Sequence, residues 1–179
     1  MSDAPDTPDA RPRFEIFRGS AAPSLSECQC MTPVGETPNM LATLAQFPQM
    51  LESGGEQVDV PYRRPGMSLA RLWLKSGFPL PLHSHDCDCL YYVVAGSIHL
   101  GNETLVAGDG FYVGSDVPYG YTAGPEGAEV IEFRATDSFE IRLKDKPAAA
   151  WEKTAAEMID SRERWAAEPP PVRKMPEKV

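Results

Sequence analysis

Between Val58 and Leu143 the chain is a succession of short apolar or alternating runs, each closed by a turn signal. The runs are Val58–Tyr62, Met67–Lys75, His83–His85, Leu90–Val94, Ser97–Leu100, Glu103–Val106, Gly110–Val113, Tyr119–Thr122, Val130–Arg134 and Phe139–Leu143. Arg64-Pro65-Gly66, Ser76-Gly77, Ala95-Gly96, Gly101-Asn102, Gly108-Asp109 and Gly124-Pro125-Glu126-Gly127 separate them. Many short strands at this spacing predict a β-sandwich or small barrel. Gly101-Asn102 fits a two-residue hairpin, because both residues tolerate positive φ.

The flanks read differently. Residues 1–13, rich in Pro, Asp and Ala, are expected to be a disordered tail. Arg13 to Cys30 reads as extended, with a break at Gly19-Ser20. Pro38 to Gln46 reads as one short helix, with Thr37 as N-cap, Pro38 at the first helical position and Pro48 ending it. Ala148 to Ala167 holds no Gly or Pro, and its Trp151, Ala155, Met158, Ile159 and Trp165 follow a helical period. That segment is expected to pack its apolar stripe on the outside of the barrel. Glu168-Pro169-Pro170-Pro171 stops it. The expected organisation is a tail over 1–13, a barrel over 14–145, a helix over 146–168 and a tail over 169–179.

Length and charge exclude several functions. At 179 residues the chain can bury one substantial core. A net charge of -9 argues against nucleic acid, which calls for a basic face. No apolar run approaches the ~18 residues that span a bilayer, so no membrane partner is expected. The N-terminus lacks the apolar core of a secretory signal, so a cytoplasmic location with reduced thiols is expected. The cysteines form two Cys-x-Cys pairs, Cys28/Cys30 and Cys87/Cys89. Neither pair is expected to close on itself, because alternate residues of a strand sit too far apart. A bridge between the pairs and a four-thiol zinc site are open alternatives to free thiols.

The chemistry concentrates in His83-Ser84-His85-Asp86-Cys87-Asp88-Cys89. On an extended strand His83 and His85 share a face. Imidazole and thiolate are good ligands for Zn, Fe, Cu and Ni. A histidine on a strand is more often just a hydrogen-bonded side chain, but two at alternate positions beside a thiol weigh towards a metal. His99 has the outward parity and is a weak ligand candidate. Arg71 shares the parity of Leu69 and Trp73 and is read, with Glu132 and Arg134, as a polar group that could line the cavity. Glu132 and Arg134 alternate with Ile131 and Phe133. A buried Arg needs an anionic partner, and an ion pair with Glu132 is favoured over a substrate carboxylate. Tyr91, Tyr92, Phe111, Tyr112 and Tyr121 are read as aromatic walls, in the core rather than in recognition.

The pattern Gly77-x5-His83-x-His85-x3-Cys89-x6-Gly96 resembles the first motif of the cupin superfamily, G-x5-H-x-H-x3/4-E-x6-G. The second motif, G-x5-P-x-G-x2-H-x3-N, is matched at Gly108, and its histidine position holds Tyr119. Its proline, glycine and asparagine positions hold Gly114, Asp116 and Ala123. The resemblance spans about residues 66 to 135. It implies an all-β, cupin-like jelly-roll barrel with one metal site inside, flanked by a short N-terminal helix and a C-terminal helix. Cys89 and Tyr119 stand where the family has Glu and His, and each binds metal as an anion. The expected ligand set is therefore His83, His85, Cys89 and Tyr119, with Tyr119 as fourth ligand or acid/base. Cys87 could substitute for Cys89 or act as a redox-sensitive thiol. The expected cofactor is one transition-metal ion, Zn, Fe or Cu. Two functions follow: a metal-dependent oxygenase, isomerase or lyase on a small organic molecule, or a non-catalytic module that binds a ligand or senses metal or redox state. Electron transfer at copper is a remote third. The N-terminal strand and C-terminal helix could cover sheet edges or a partner subunit, so a homodimer is plausible.

Overall fold

The structure is a computed structural model that describes residues 14–172 except 36, 46 and 145. Its helices are α1 (Leu25–Cys28), α2 (Pro38–Leu44), α3 (Phe47–Glu52), α4 (Ala148–Asp160) and α5 (Arg162–Ala166). Its strands are β1 (Met31–Val34), β2 (Glu56–Arg64), β3 (Met67–Leu74), β4 (Pro79–His85), β5 (Cys89–Leu100), β6 (Glu103–Val106), β7 (Gly110–Val113), β8 (Tyr119–Arg134) and β9 (Phe139–Leu143). The strands form one sheet in the order β1-β9-β4-β8-β3-β2, with β5 against β8, and β6 and β7 against β5. β1 runs parallel to β9, and the other pairings are antiparallel. The sheet curls around β5 and β8 into a jelly-roll barrel, as the sequence implied.

Two separators are not turns. Ala95-Gly96 lies inside the single strand β5, and Gly124 to Gly127 lies inside the single strand β8. The reason is a paired bend. Gly96 (φ 69°) and Gly127 (φ 76°) both adopt the left-handed region, which only glycine enters without strain. Gly96 lies opposite Ala128, and the β5–β8 register shifts on either side of it. A Cβ on Gly96 would collide with the Gly127 carbonyl oxygen. These glycines mark a kink that lets two long strands curve together.

The inner face is set by alternation. Along β3, Ser68, Ala70, Leu72 and Leu74 are buried, and Leu69, Arg71 and Trp73 face outwards. Arg71 therefore lies outside the cavity, paired with Glu129 at 3.1 Å. Its parity matches large residues that lie on the outer face. Leu74, Val93, Ile98 and Val130 are fully buried between the walls.

The flanking segments differ in detail from expectation. Of the run expected to be extended, the described residues 14 to 30 are not: a 3-10 turn forms at Gly19–Ala21 and α1 follows. Ser24 and Glu27 make a capping box that starts α1. The expected helix over Pro38 to Gln46 ends at Leu44, and Pro48 lies in the first turn of α3, where its missing N–H costs nothing. Thr37 caps as expected, its Oγ1 accepting from Met40 N at 3.2 Å. The C-terminal helix is divided at Ser161 into α4 and α5. Trp151, Ala155, Met158 and Trp165 enter the core, whereas Ile159 stays exposed. Trp165 Nε1 donates to Ser76 O at 2.9 Å, and the Glu168 carboxylate accepts from Ser76 N at 2.6 Å, so the helices are clasped to the β3–β4 turn. No helix of the described residues is long and apolar enough to cross a membrane.

Gly96→Ala should lower the denaturant midpoint by the equivalent of at least ~2 kcal/mol, because the residue loses its left-handed conformation and strikes the Gly127 backbone. Equilibrium unfolding in guanidinium chloride measures it.

Candidate functional site

β4 places His83 and His85 on the inner face, His83 opposite Tyr119 of β8 and His85 opposite Ile141 of β9. The loop between β4 and β5 is held by its acids. Asp86 accepts from Glu140 N at 2.7 Å, and Asp88 accepts from Ser115 N at 2.9 Å. Each imidazole is fixed through Nδ1: His83 donates to Pro81 O at 2.6 Å, and His85 to Glu140 O at 2.7 Å. These carbonyls set the tautomer and leave both Nε2 lone pairs facing inwards. Burial lowers the pKa of His83, and burial together with Arg134 brings His85 to about 3, so both rings are neutral near pH 7.

A directed set of hydrogen bonds meets those nitrogens. Tyr119 OH lies 2.8 Å from His83 Nε2 and donates to it. Tyr91 OH forms a short hydrogen bond to Tyr119 OH, and Arg134 Nη2 reaches Tyr91 OH at 3.5 Å. Arg134 Nη2 also stands 3.5 Å from His85 Nε2. Donors thus run from Arg134 through Tyr91 and Tyr119 to His83. Arg134 and Glu132 form a buried ion pair of 2.7 Å, the pairing favoured from the sequence. Burial is the largest single influence on Arg134 and opposes its charge, but Glu132 and the neighbouring Tyr91, Cys89 and Tyr119 together outweigh it and raise the pKa. Burial raises the pKa of both tyrosines far above the usual phenol range and pushes Cys89 up to about 12, so these groups keep their protons.

The site opens on an apolar cavity of about 90 Å³. Met50, Val58, Leu72, Phe78, Leu80 and Leu143 line it, and Glu56, His83, His85, Glu132 and Arg134 bring polar groups to it. Glu56 is a site residue that the sequence reading does not single out. Burial, and then the charge of Glu132, push its carboxyl up to about 7. Its signal is parity: it alternates with Val58 and Val60 along β2, both on the inner side.

The structure brings His83, His85 and Tyr119 together. His83 and His85 have ring centroids 4.9 Å apart, and His83 and Tyr119 4.4 Å apart. Cys89 is buried opposite Arg134 at the start of β5. Among the described residues no three His, Cys, Asp or Glu side chains form a group that could hold a metal ion. Cys87 packs instead beside the cluster of Cys30, Val60 and Phe139. His99 faces out, its Nδ1 3.0 Å from Thr104 Oγ1, as its parity required. Of the expected aromatic walls, Tyr91 stacks on Phe111 at 4.4 Å and Tyr121 is buried. Tyr92 and Tyr112 are exposed, because their positions fall on the outer face of β5 and β7.

The imidazole pair fits a transition-metal ion. Two rings sharing one ion through ~2.1 Å bonds stand roughly 5 Å apart, centroid to centroid. Anchoring Nδ1 on a carbonyl is the support that ligating histidines use. The Tyr119 oxygen, 2.8 Å from His83 Nε2, offers a third donor, which an ion would have to deprotonate.

No family model matches the chain, and no curated protein matches it. Solved structures resemble parts of it. An RmlC-like cupin from Shewanella frigidimarina NCIMB 400 is 23% identical over 46% of this chain and 78% of its own, with a TM-score of 0.43. KdgF from a Halomonas species is 24% identical over 45% of this chain and 81% of its own, with a TM-score of 0.40. The polyketide cyclase RemF from Streptomyces resistomycificus is 18% identical over 60% of this chain and 83% of its own, with a TM-score of 0.49. The protein has the cupin fold: its own strand order supplies the barrel, and its first motif lies on β4 and β5.

Arg134→Met should destabilise the fold by about 3–5 kcal/mol, because it leaves Glu132 buried without its cation. Urea unfolding at neutral pH measures it. Glu56 gives a pH signature. A carboxyl raised from 4.5 to about 7 in the folded protein adds stability that is complete below pH 4.5 and is lost as the pH rises through 7. Glu56→Gln should therefore gain on wild type by on the order of 2 kcal/mol at pH 8 relative to pH 4.5. Thermal unfolding of both proteins across that range gives the comparison.

Proposed function

We propose that this cupin binds a small organic molecule in its barrel beside a mononuclear transition-metal site, with Zn, Fe or Cu held by His83 and His85. Tyr119 is the third donor or the local acid/base. The supporting observation is the pair of Nδ1–carbonyl anchors, which leave both Nε2 atoms as acceptors on two buried rings whose centroids are 4.9 Å apart. When bound, the ion supplies Lewis acidity or activates water or O₂.

The remaining work belongs to the chain's own residues. Apolar walls seat the body of the molecule and exclude water. Arg134 faces an acceptor group, since its Nε is buried without a protein partner among the described residues. Tyr119, whose hydroxyl lies beside His83 Nε2 at 2.8 Å, is within reach of a molecule bound next to that nitrogen for passing it a proton. The acidic, single-barrel chain suits a cytoplasmic protein without nucleic-acid or membrane partners, and a homodimer would cover its sheet edges. The reaction class is an oxygenase, isomerase or lyase step, for which the fold gives no preference.

A second reading has its own support. Both Nε2 atoms already have protein partners, one of them a fixed cation. A metal-free barrel that binds an anionic or carbonyl-bearing ligand through Arg134 and the imidazoles is the non-catalytic alternative.

Metal analysis after purification and calorimetry with Zn, Fe(II) and Cu separate the two. On the first reading, an ion at a hundred times its Kd raises wild-type stability by about 2.7 kcal/mol. His83→Ala and His85→Ala should each abolish that gain, and Cys28→Ser should keep it. If no ion binds or stabilises the wild type, while hexanoate stabilises the chelator-treated protein, the metal-free reading replaces it.

A further inference from the structure

The Cys28/Cys30 pair does not sit on a strand. Cys28 ends α1, Gln29 follows in the left-handed region with φ 51° and ψ 35°, and β1 begins only at Met31. That non-glycine turn folds the chain back, and Cys28 packs against the buried cluster that contains Cys30. The strand argument against a bond within this pair therefore does not hold for its geometry. Cys28 is partly exposed and Cys30 is buried. Arg63 Nη1 donates to Cys28 O at 3.0 Å and reaches Cys28 Sγ at 3.8 Å, which brings a cation to the more accessible sulfur. Cys30 is pinned through its carbonyl to Phe139 N at 2.9 Å. Leu25 and Met31, on either side of the pair, both line the cavity.

We propose that Cys28 and Cys30 form a dithiol which a hydroperoxide oxidises to a disulfide in the wall of the barrel cavity. The Cys28 sulfur attacks the terminal peroxide oxygen and the O–O bond breaks. Cys28 becomes a sulfenic acid, and water or an alcohol leaves. The Cys30 sulfur then attacks the Cys28 sulfur. An S–S bond forms, the S–O bond breaks, and the hydroxyl leaves as water with the Cys30 proton. Two thiols are oxidised and one peroxide is reduced. Burial pushes the Cys30 thiol up to about 11, in keeping with a protonated resolving partner that acts second. The ring encloses a single residue, so it constrains little chain and is readily reopened by thiols. This dithiol is separate from the His83 and His85 site and does not depend on the function proposed for it.

The test uses the full, reduced chain treated with hydrogen peroxide in the absence of metal. Two of the four thiols should disappear, and the peptide containing residues 28–30 should lose two hydrogens and regain them with dithiothreitol. Cys30→Ser should form no disulfide, and dimedone should trap the sulfenic acid at Cys28. Cys28→Ser should keep its remaining thiols under the same dose, and Cys87→Ser should behave as wild type. The Met31 methyl resonance should shift on oxidation while that of Met158 stays in place. A disulfide mapped to Cys87 or Cys89, a bond between chains, or four surviving thiols would overturn the proposal. A disulfide within the pair that leaves Met31 unmoved would remove its link to the cavity.

Discussion

Strand β8 carries both sides of the site, and the arrangement depends on its bend. Its first residue, Tyr119, reaches His83, and near its end Glu132 and Arg134 enter the same interior. A straight strand rises ~3.4 Å per residue, so Tyr119 and Arg134 would stand ~50 Å apart. The left-handed glycines at 96 and 127 allow β5 and β8 to fold over together and bring those ends to one cluster. Curvature and chemistry are therefore a single constraint: the backbone conformation that closes the barrel also joins Arg134 to the Tyr91–Tyr119–His83 chain.

Within the cluster the strongest interaction is electrostatic. A guanidinium in an apolar interior is tolerated only beside its carboxylate, and Glu132 serves at 2.7 Å. That positive end then orients the uncharged groups. Tyr91 accepts from Arg134 and donates to Tyr119, and Tyr119 donates to His83. The same cation disfavours protonation of His85. Neutral imidazoles with inward lone pairs suit a metal ion, and they equally suit a hydrogen-bond donor on a ligand. The two readings differ in whether an ion displaces Tyr119 and Arg134 from those lone pairs.

Much of the fold is legible in the sequence because it rests on short-range signals. The alternation in β3, the Thr37 cap, the helical stripe of Trp151, Ala155, Met158 and Trp165, and the histidine pair all act within a few residues. Sequence reasoning fails where one local signal serves two geometries. Gly96 and Gly127 read as turns, since a positive-φ glycine marks a hairpin or a bulge equally well. Arg71 reads as a cavity residue because outward Leu69 and Trp73 look like core residues. The spacing motif finds His83, His85 and Tyr119, but no spacing foretells that Cys89 faces Arg134 across β5 and β8. That pairing is fixed by long-range register.

Glu56 shows the same limit in its energetics. A carboxylate at the start of a strand usually marks a solvated edge. Here the curled sheet carries the start of β2 against the apolar cavity, and the nearby Glu132 charge adds to the desolvation. Glu132 has Arg134, and among the described residues the cavity lining holds no second cation for Glu56. Below pH 7 the cheaper state for Glu56 is then the protonated acid, a hydrogen-bond donor in an otherwise apolar wall. The cavity consequently offers an acceptor-seeking cation in Arg134, acceptor nitrogens on His83 and His85, and, below pH 7, a neutral acid in Glu56. A molecule matched to it has an apolar body and oxygen functions that reach more than one of these groups.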